Sequence, residues 1–321
     1  MASRRSVSPD LPRLRERLDA LRAEWRGRRL DSDPLVFPHR YAEPEDREVV
    51  AFLAASLAFG RVASIQASVE RVLGALGPHP AVFLDEWDGE TPIPGLKRFV
   101  HRWVTGRDLE EFLRRVRRAR QAHGSLGSLF AKGDREGDFL EGKESRGGAP
   151  CTAGADYVAA LSSFLRNLRA DSPGAAGASP GLRFLLPSPS SDSACKRQHL
   201  FLRWMVRTEG FDLGLWRGGR FSAARLLLPM DTHVHRISRY LGLTRRPSAD
   251  LAASREATAF LKRLDPADPV AYDWALSRLG ILAECTGSPA RRHCDRCAIA
   301  PVCHERIGPS RPRSEERVVT A

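Results

Sequence analysis

Nowhere does the chain run to the ~18 uncharged apolar residues that a membrane-crossing helix requires, so no membrane span is read from it. Arg4 and Arg5 have no apolar run behind them, so no secretory signal is read either, and the expected location is cytoplasmic. Lysine is scarce: Lys97, Lys132, Lys143, Lys196 and Lys262 are five of 51 basic residues, and arginine supplies the rest. In such a chain a retained amine suggests a position that needs one, although chance retention accounts for most of the five. Cysteine is sparse too, with six in 321 residues. Cys151 and Cys195 stand alone, which excludes an evenly spread disulfide framework and suits a reducing compartment.

The other four cysteines crowd into nineteen residues as Cys285, Cys294, Cys297 and Cys303, separated by eight, two and five residues. Four thiolates in one short loop can saturate one metal centre, either zinc or a [4Fe–4S] cluster. The net charge of +12 and pI near 10.1 favour a polyanionic partner, nucleic acid before a membrane surface. Solvated basic faces would give the same totals.

Periodicity predicts an all-α chain. Leu11, Leu14, Leu18, Leu21 and Trp25 mark a first amphipathic helix, and residues 46–59 read as a buried one, broken at Gly60 and Arg61. Further helices are expected over 65–76, around 96–104, from Asp108 as a cap onward, and over 157–168. Others are expected from Lys196 to Arg207, from Asp231 onward, over 251–264, and over 268–284 with Asp268 as cap and Pro269 in the first turn. Arg114, Arg115, Arg117, Arg118 and Arg120 form one helix face, either solvated or set against nucleic acid. Residues 132–156 and 171–181 read as flexible insertions, and 1–10 and 307–321 as disordered ends.

Two further stretches carry chemistry. Asp231 in Pro229-Met230-Asp231-Thr232-His233-Val234 is a good helix N-cap and also a carboxylate held at a helix start. Lys196 opens its own helix beside Arg197, either as an exposed first-turn lysine or as an amine nucleophile.

Together the cysteine loop, the D-T-H-V stretch and the K-R-x-x-x-F-L-R-W-M-V-R run resemble the helix-hairpin-helix (HhH-GPD) DNA glycosylase superfamily. Its endonuclease III-like members, and a bacterial branch without an assigned substrate, look most similar. The resemblance implies a two-lobed all-α fold. Residues 44–226 would form a helical barrel lobe, and 11–43 with 227–306 a discontinuous lobe carrying a [4Fe–4S] cluster on Cys285, Cys294, Cys297 and Cys303, with zinc as the alternative. It implies base-excision repair by a monomer on damaged, double-stranded DNA near the nucleoid. The damaged base, expected to be oxidised, would be removed by a glycosylase with AP-lyase activity, through a Schiff base on Lys196 aided by Asp231. The alternatives are a monofunctional glycosylase with an Asp231-activated water, or a non-catalytic nucleic-acid-binding protein. DNA contacts are implied for Arg61, Arg197, Arg236, Arg291 and Arg292, with Arg61 or Phe59 as a wedge. Trp204, Phe211 and Trp216 are either base-pocket or core residues. The chain departs from the family in three ways: the first cysteine gap is longer, the hairpin glycines before Lys196 are missing, and Lys196 lies further from Asp231.

Overall fold

The computed structural model describes residues 10–25, 30–31, 33–140, 155–170, 179–187, 193–281, 285, 294–295 and 297–304, without the side chains of 136–140. The described chain is helical, with one two-stranded hairpin. Helix α1 (Leu11–Trp25) buries Leu14, Leu18, Leu21 and Trp25, the stripe its spacing predicts. Helix α2 (Pro44–Ser56) starts on a proline, carries Glu45 and Asp46 in its first turn, and is buried nearly all round. Helix α3 (Val62–Leu76) ends at Gly77, whose φ of +77° a side chain would resist. The short α4 (Pro80–Glu86) follows.

The helix expected around 96–104 is not there. Val100–His101 (β1) and Val104–Thr105 (β2) pair antiparallel, with Arg102 and Trp103 at the turn. Phe99, Val100, His101 and Val104 favour extended backbone, and inward-facing His101 and Val104 alternate with outward-facing Val100 and Thr105. Burial also lowers the pKa of His101. A carbonyl can only accept, so its Nε2–H donates to the Phe59 carbonyl (2.9 Å), while Nδ1 accepts from the Ser68 hydroxyl (2.8 Å). One buried neutral imidazole thus pins the hairpin to the chain between α2 and α3.

Thr105, not Asp108, caps α5 (Gly106–His123), and Asp108 closes the reciprocal capping box. Most arginines of α5 are engaged within the molecule, Arg107 staying exposed. Arg115 is buried against Glu111 and the Leu168 carbonyl, Arg120 pairs with Asp85, and Arg118 reaches the Ala170 carbonyl. A solvated face does not describe them.

Residues 132–140, expected as the start of a flexible insertion, belong to a helix, α6 (Leu126–Leu140). A Cβ on Gly127 would lie 2.7 Å from the Trp216 indole, and one on Gly133 would lie 2.9 Å from Ser163 of α7 (Val158–Arg169). These glycines serve close packing. Buried Glu48 of α2 receives the Leu126 and Gly127 amides (2.9 Å each) and the Trp216 indole N–H (2.7 Å). Residues 141–154 and 171–178, the rest of the two expected insertions, lie outside the described residues.

The remaining helices are α8 (Pro180–Leu185), α9 (Lys196–Val206), α10 (Thr232–Tyr240), α11 (Leu251–Leu261) and α12 (Asp273–Ile281). The last starts later than expected, because Asp268 accepts from Arg207 (2.8 Å) instead of capping it. Helix α9 packs on α2 through Phe201 and Phe52 (ring centroids 4.9 Å apart), while α12 packs on α10 and α1. Buried side chains from α1 to α12 form one continuous cluster.

Candidate functional site

A cleft of about 710 Å³ opens where three helix N-termini converge: α3 at Arg61, α9 at Lys196 and α10 at Asp231. Each such end carries a partial positive charge; the first amides of α10 are taken by the Asp231 carboxylate, which leaves the ends of α3 and α9 to suit an anion.

The cleft brings Lys196 and Asp231 together. Lys196 Nζ lies 3.9 Å from Asp231 Oδ2, and both side chains are partly exposed. The two oxygens of Asp231 divide their tasks. Oδ1 accepts the His233 and Val234 amides (2.8 and 2.7 Å) as the N-cap of α10, which leaves Oδ2 toward the amine. The approach to Asp231 is rigid: Leu226, Leu228 and Met230 are buried, and both polar backbone groups of Leu228 bond to Thr258 and Ser254 of α11. Gly280 lets α12 press on the start of α10, since a Cβ there would sit 2.5 Å from that of His233. Lys196 is set by Cys195, a non-glycine residue at φ +41°, and by the packing of α9 on α2.

Behind the pair lies a buried ionic network. Arg203 bonds Asp212 and Asp273, Arg207 bonds Asp212 and Asp268, and Arg278 bonds Asp33. Burial raises the Asp273 pKa and Arg203 opposes that rise. The aromatic walls of the cleft are Phe59 and Trp274, and Trp274 went unnoticed in the sequence. Its signal was weak, one tryptophan in an ordinary helix pattern. Trp204 is core, Trp216 is buried against Glu48, and Phe211 lines a separate pocket of about 300 Å³.

The candidate basic residues separate. Arg61 is exposed on the cleft rim. Arg197 is buried, its pKa lowered to about 10 by that burial, and it donates to the Ser56 (2.7 Å) and Phe184 carbonyls. Arg236 donates to the Cys285 carbonyl (2.6 Å), tying α10 to the cysteine segment. Arg291 and Arg292 lie outside the described residues.

The four clustered cysteines are all partly buried. Burial pushes the Cys297 thiol up to about 11, and charge on Cys285, Cys303 and Cys294 adds to that rise. Among the described residues, no group of three or more His, Cys, Asp or Glu side chains is arranged to hold an ion. The spacing of the cysteines, not a cage visible in the fold, therefore carries the metal expectation.

Residues 33–282 match the model of a family described as "Protein of unknown function (DUF2400)". No curated protein and no solved structure matches the chain. The resemblance to HhH-GPD glycosylases is thereby corrected: the family matched is DUF2400, with no match to an HhH-GPD or endonuclease III family. Short motifs misled here, because a helix-capping D-T-H and a four-cysteine loop can arise in any helical chain that needs a cap and a compact C-terminal loop. Since the match spans well over half of its length, the chain belongs to the DUF2400 family.

Proposed function

We propose that the cleft is the active site of a DNA glycosylase with AP-lyase activity, acting on a damaged, expectedly oxidised, base in double-stranded DNA. The observation that carries this reading is the approach of Lys196 Nζ to Asp231 Oδ2 at 3.9 Å, beside the N-termini of α3 and α9, which favour phosphate. An amine beside a carboxylate is the minimum needed for imine chemistry on a sugar. Asp231 takes a proton from the Lys196 ammonium, and the neutral amine attacks C1′ of an extruded nucleotide. The C1′–N bond breaks, and the base leaves with the electron pair and gains a proton. Ring opening gives the Schiff base. Loss of a C2′ proton then expels the 3′ phosphate, and water hydrolyses the imine. Once Asp231 has passed that proton to the departing base, its ionised Oδ2 stabilises the positive charge of the Schiff base.

The pairing itself favours a second reading. If Lys196 stays an ammonium held by Asp231, it serves as a phosphate ligand and Asp231 activates water for simple hydrolysis. A lesion panel separates the readings: base release with strand nicking supports the first, and release without nicking supports the second. No base release by wild type from any lesion, with salt-dependent binding unchanged in Asp231→Asn, would remove both and leave a nucleic-acid-binding protein.

To this reading belongs a structural metal centre on Cys285, Cys294, Cys297 and Cys303, [4Fe–4S] with zinc as the alternative, in a monomer acting in the cytoplasm at the nucleoid. Iron, sulfide and zinc content of purified protein decide it.

A further inference from the structure

The hairpin that replaced the expected helix carries an exposed tryptophan at the mouth of the cleft. Trp103 is 49% exposed, whereas Trp25, Trp87, Trp204 and Trp216 are buried. Its ring lies 5.5 Å from Phe59 and 4.8 Å, edge on, from Phe184. Phe59 lines the cleft, and Phe184 lines an adjoining pocket of about 460 Å³ that shares Lys196 and Arg197 with it. Buried Arg197 stacks on both phenylalanines, at 5.2 and 4.0 Å, and so stiffens the support beneath the indole. Trp103 thus stands on the ridge between two openings.

Its neighbours are cationic. Arg102, held at φ +56° in the turn, covers the indole at 5.0 Å and runs alongside Gly60 of the cleft rim. Arg61 and Arg183 are exposed on the two pockets. Among the described residues none of these three arginines forms an ion pair, in contrast to Arg114, Arg115 and Arg120 of α5. A soluble chain gains nothing in stability from an exposed indole, nor from holding an arginine in a left-handed turn.

We propose that Trp103 is a stacking platform for an unpaired base, with Arg102, Arg61 and Arg183 holding the adjoining phosphates of the same strand. The base takes the place of the Arg102 guanidinium over the indole, and that guanidinium moves onto a phosphate. A flat π-face backed by aromatic rings and ringed by unpaired cations is what a single nucleic-acid strand requires. The preferred substrate class is therefore DNA with at least one base already out of the stack. This rests on the nucleic-acid reading of the cleft but not on its chemistry.

The test is fluorescence anisotropy with three labelled DNAs: a short single strand, a blunt duplex and a duplex with one abasic site. Wild type, Trp103→Ala, Trp103→Phe and Arg102→Ala are compared, with thermal melting to confirm that each is folded. Trp103→Ala is expected to bind the single strand and the abasic duplex about 10-fold more weakly, with Trp103→Phe recovering most of the loss. On the blunt duplex the change stays under about twofold. Arg102→Ala lowers the salt dependence of binding. Unchanged single-strand affinity in Trp103→Ala, an equal loss on all three DNAs, or no binding by wild type overturns the proposal. Base release with no Trp103 dependence sinks this inference alone. Trp103-dependent binding without base release sinks only the glycosylase reading.

Discussion

The two oxygens of Asp231 face different partners, so in the proposed reading one side chain both caps α10 and takes part in the chemistry. Asparagine keeps an oxygen for the His233 and Val234 amides but has no charge to offer Lys196. Asp231→Asn is therefore expected to melt within a degree or two of wild type, while Asp231→Ala loses about 1 kcal/mol with the cap. Both variants lose base release, so calorimetry and activity together separate the cap from the chemistry. Buried His199 offers a second test. Among the described residues neither of its ring nitrogens has a hydrogen-bond partner, and burial pushes its pKa down to about 4 from 6.5. Between those values the unfolded chain binds a proton that the folded chain refuses, so stability is full above pH 6.5 and falls as pH drops toward about 4. The loss totals roughly 3 kcal/mol. Glu48, raised by its own burial, works in the opposite direction but is common to wild type and variant. Denaturant titrations at neutral and acidic pH are expected to show a smaller acid loss in His199→Leu than in wild type; parallel curves would contradict this.

Among the elements, those whose burial follows local periodicity were legible. The Leu14, Leu18 and Leu21 stripe, the buried α2 and the capped start of α10 all follow from spacing and cap chemistry. The hairpin at 100–105 and helix α6 were not, for a common reason. Their local signals were aromatic and glycine residues, whose meaning depends on a distant partner: Phe59 and Ser68 for the hairpin, Trp216 and Ser163 for the helix. The same holds for Arg115, Arg118 and Arg120 of α5, which reach the Leu168 carbonyl, the Ala170 carbonyl and Asp85. Gly280 is the element-scale contact closest to the site. Gly280→Ala pushes α12 off α10, which is expected to cost about 1–3 kcal/mol, as overpacking does, and to lower activity beyond the stability loss by moving Asp231. A Gly280→Ala protein with wild-type melting temperature and turnover would show that the contact does not set the pair.

For the molecule as a whole, the all-α class could be read from the sequence, while kinship could not. Motifs of a few residues suggested one superfamily, and the match over residues 33–282 assigned another family. The meeting of Lys196 with Asp231 was likewise beyond spacing, because it depends on α9 docking on α2 and α10 docking on α12. Arg115, Arg120, Arg197, Arg203, Arg207, Arg225 and Arg278 are buried, while Arg61 stays exposed on the cleft rim. DNA affinity is therefore expected to fall linearly in log–log form with salt, and Arg61→Ala to reduce the slope by about one. A slope unchanged in Arg61→Ala would place the phosphates elsewhere. The central claim is that Lys196 acts as a nucleophile beside Asp231. Its most direct test is borohydride reduction in the presence of an abasic duplex, followed by mass mapping of the adduct. The account requires a covalent DNA adduct on Lys196 that is absent in Lys196→Ala; an adduct on another residue, or none, contradicts it.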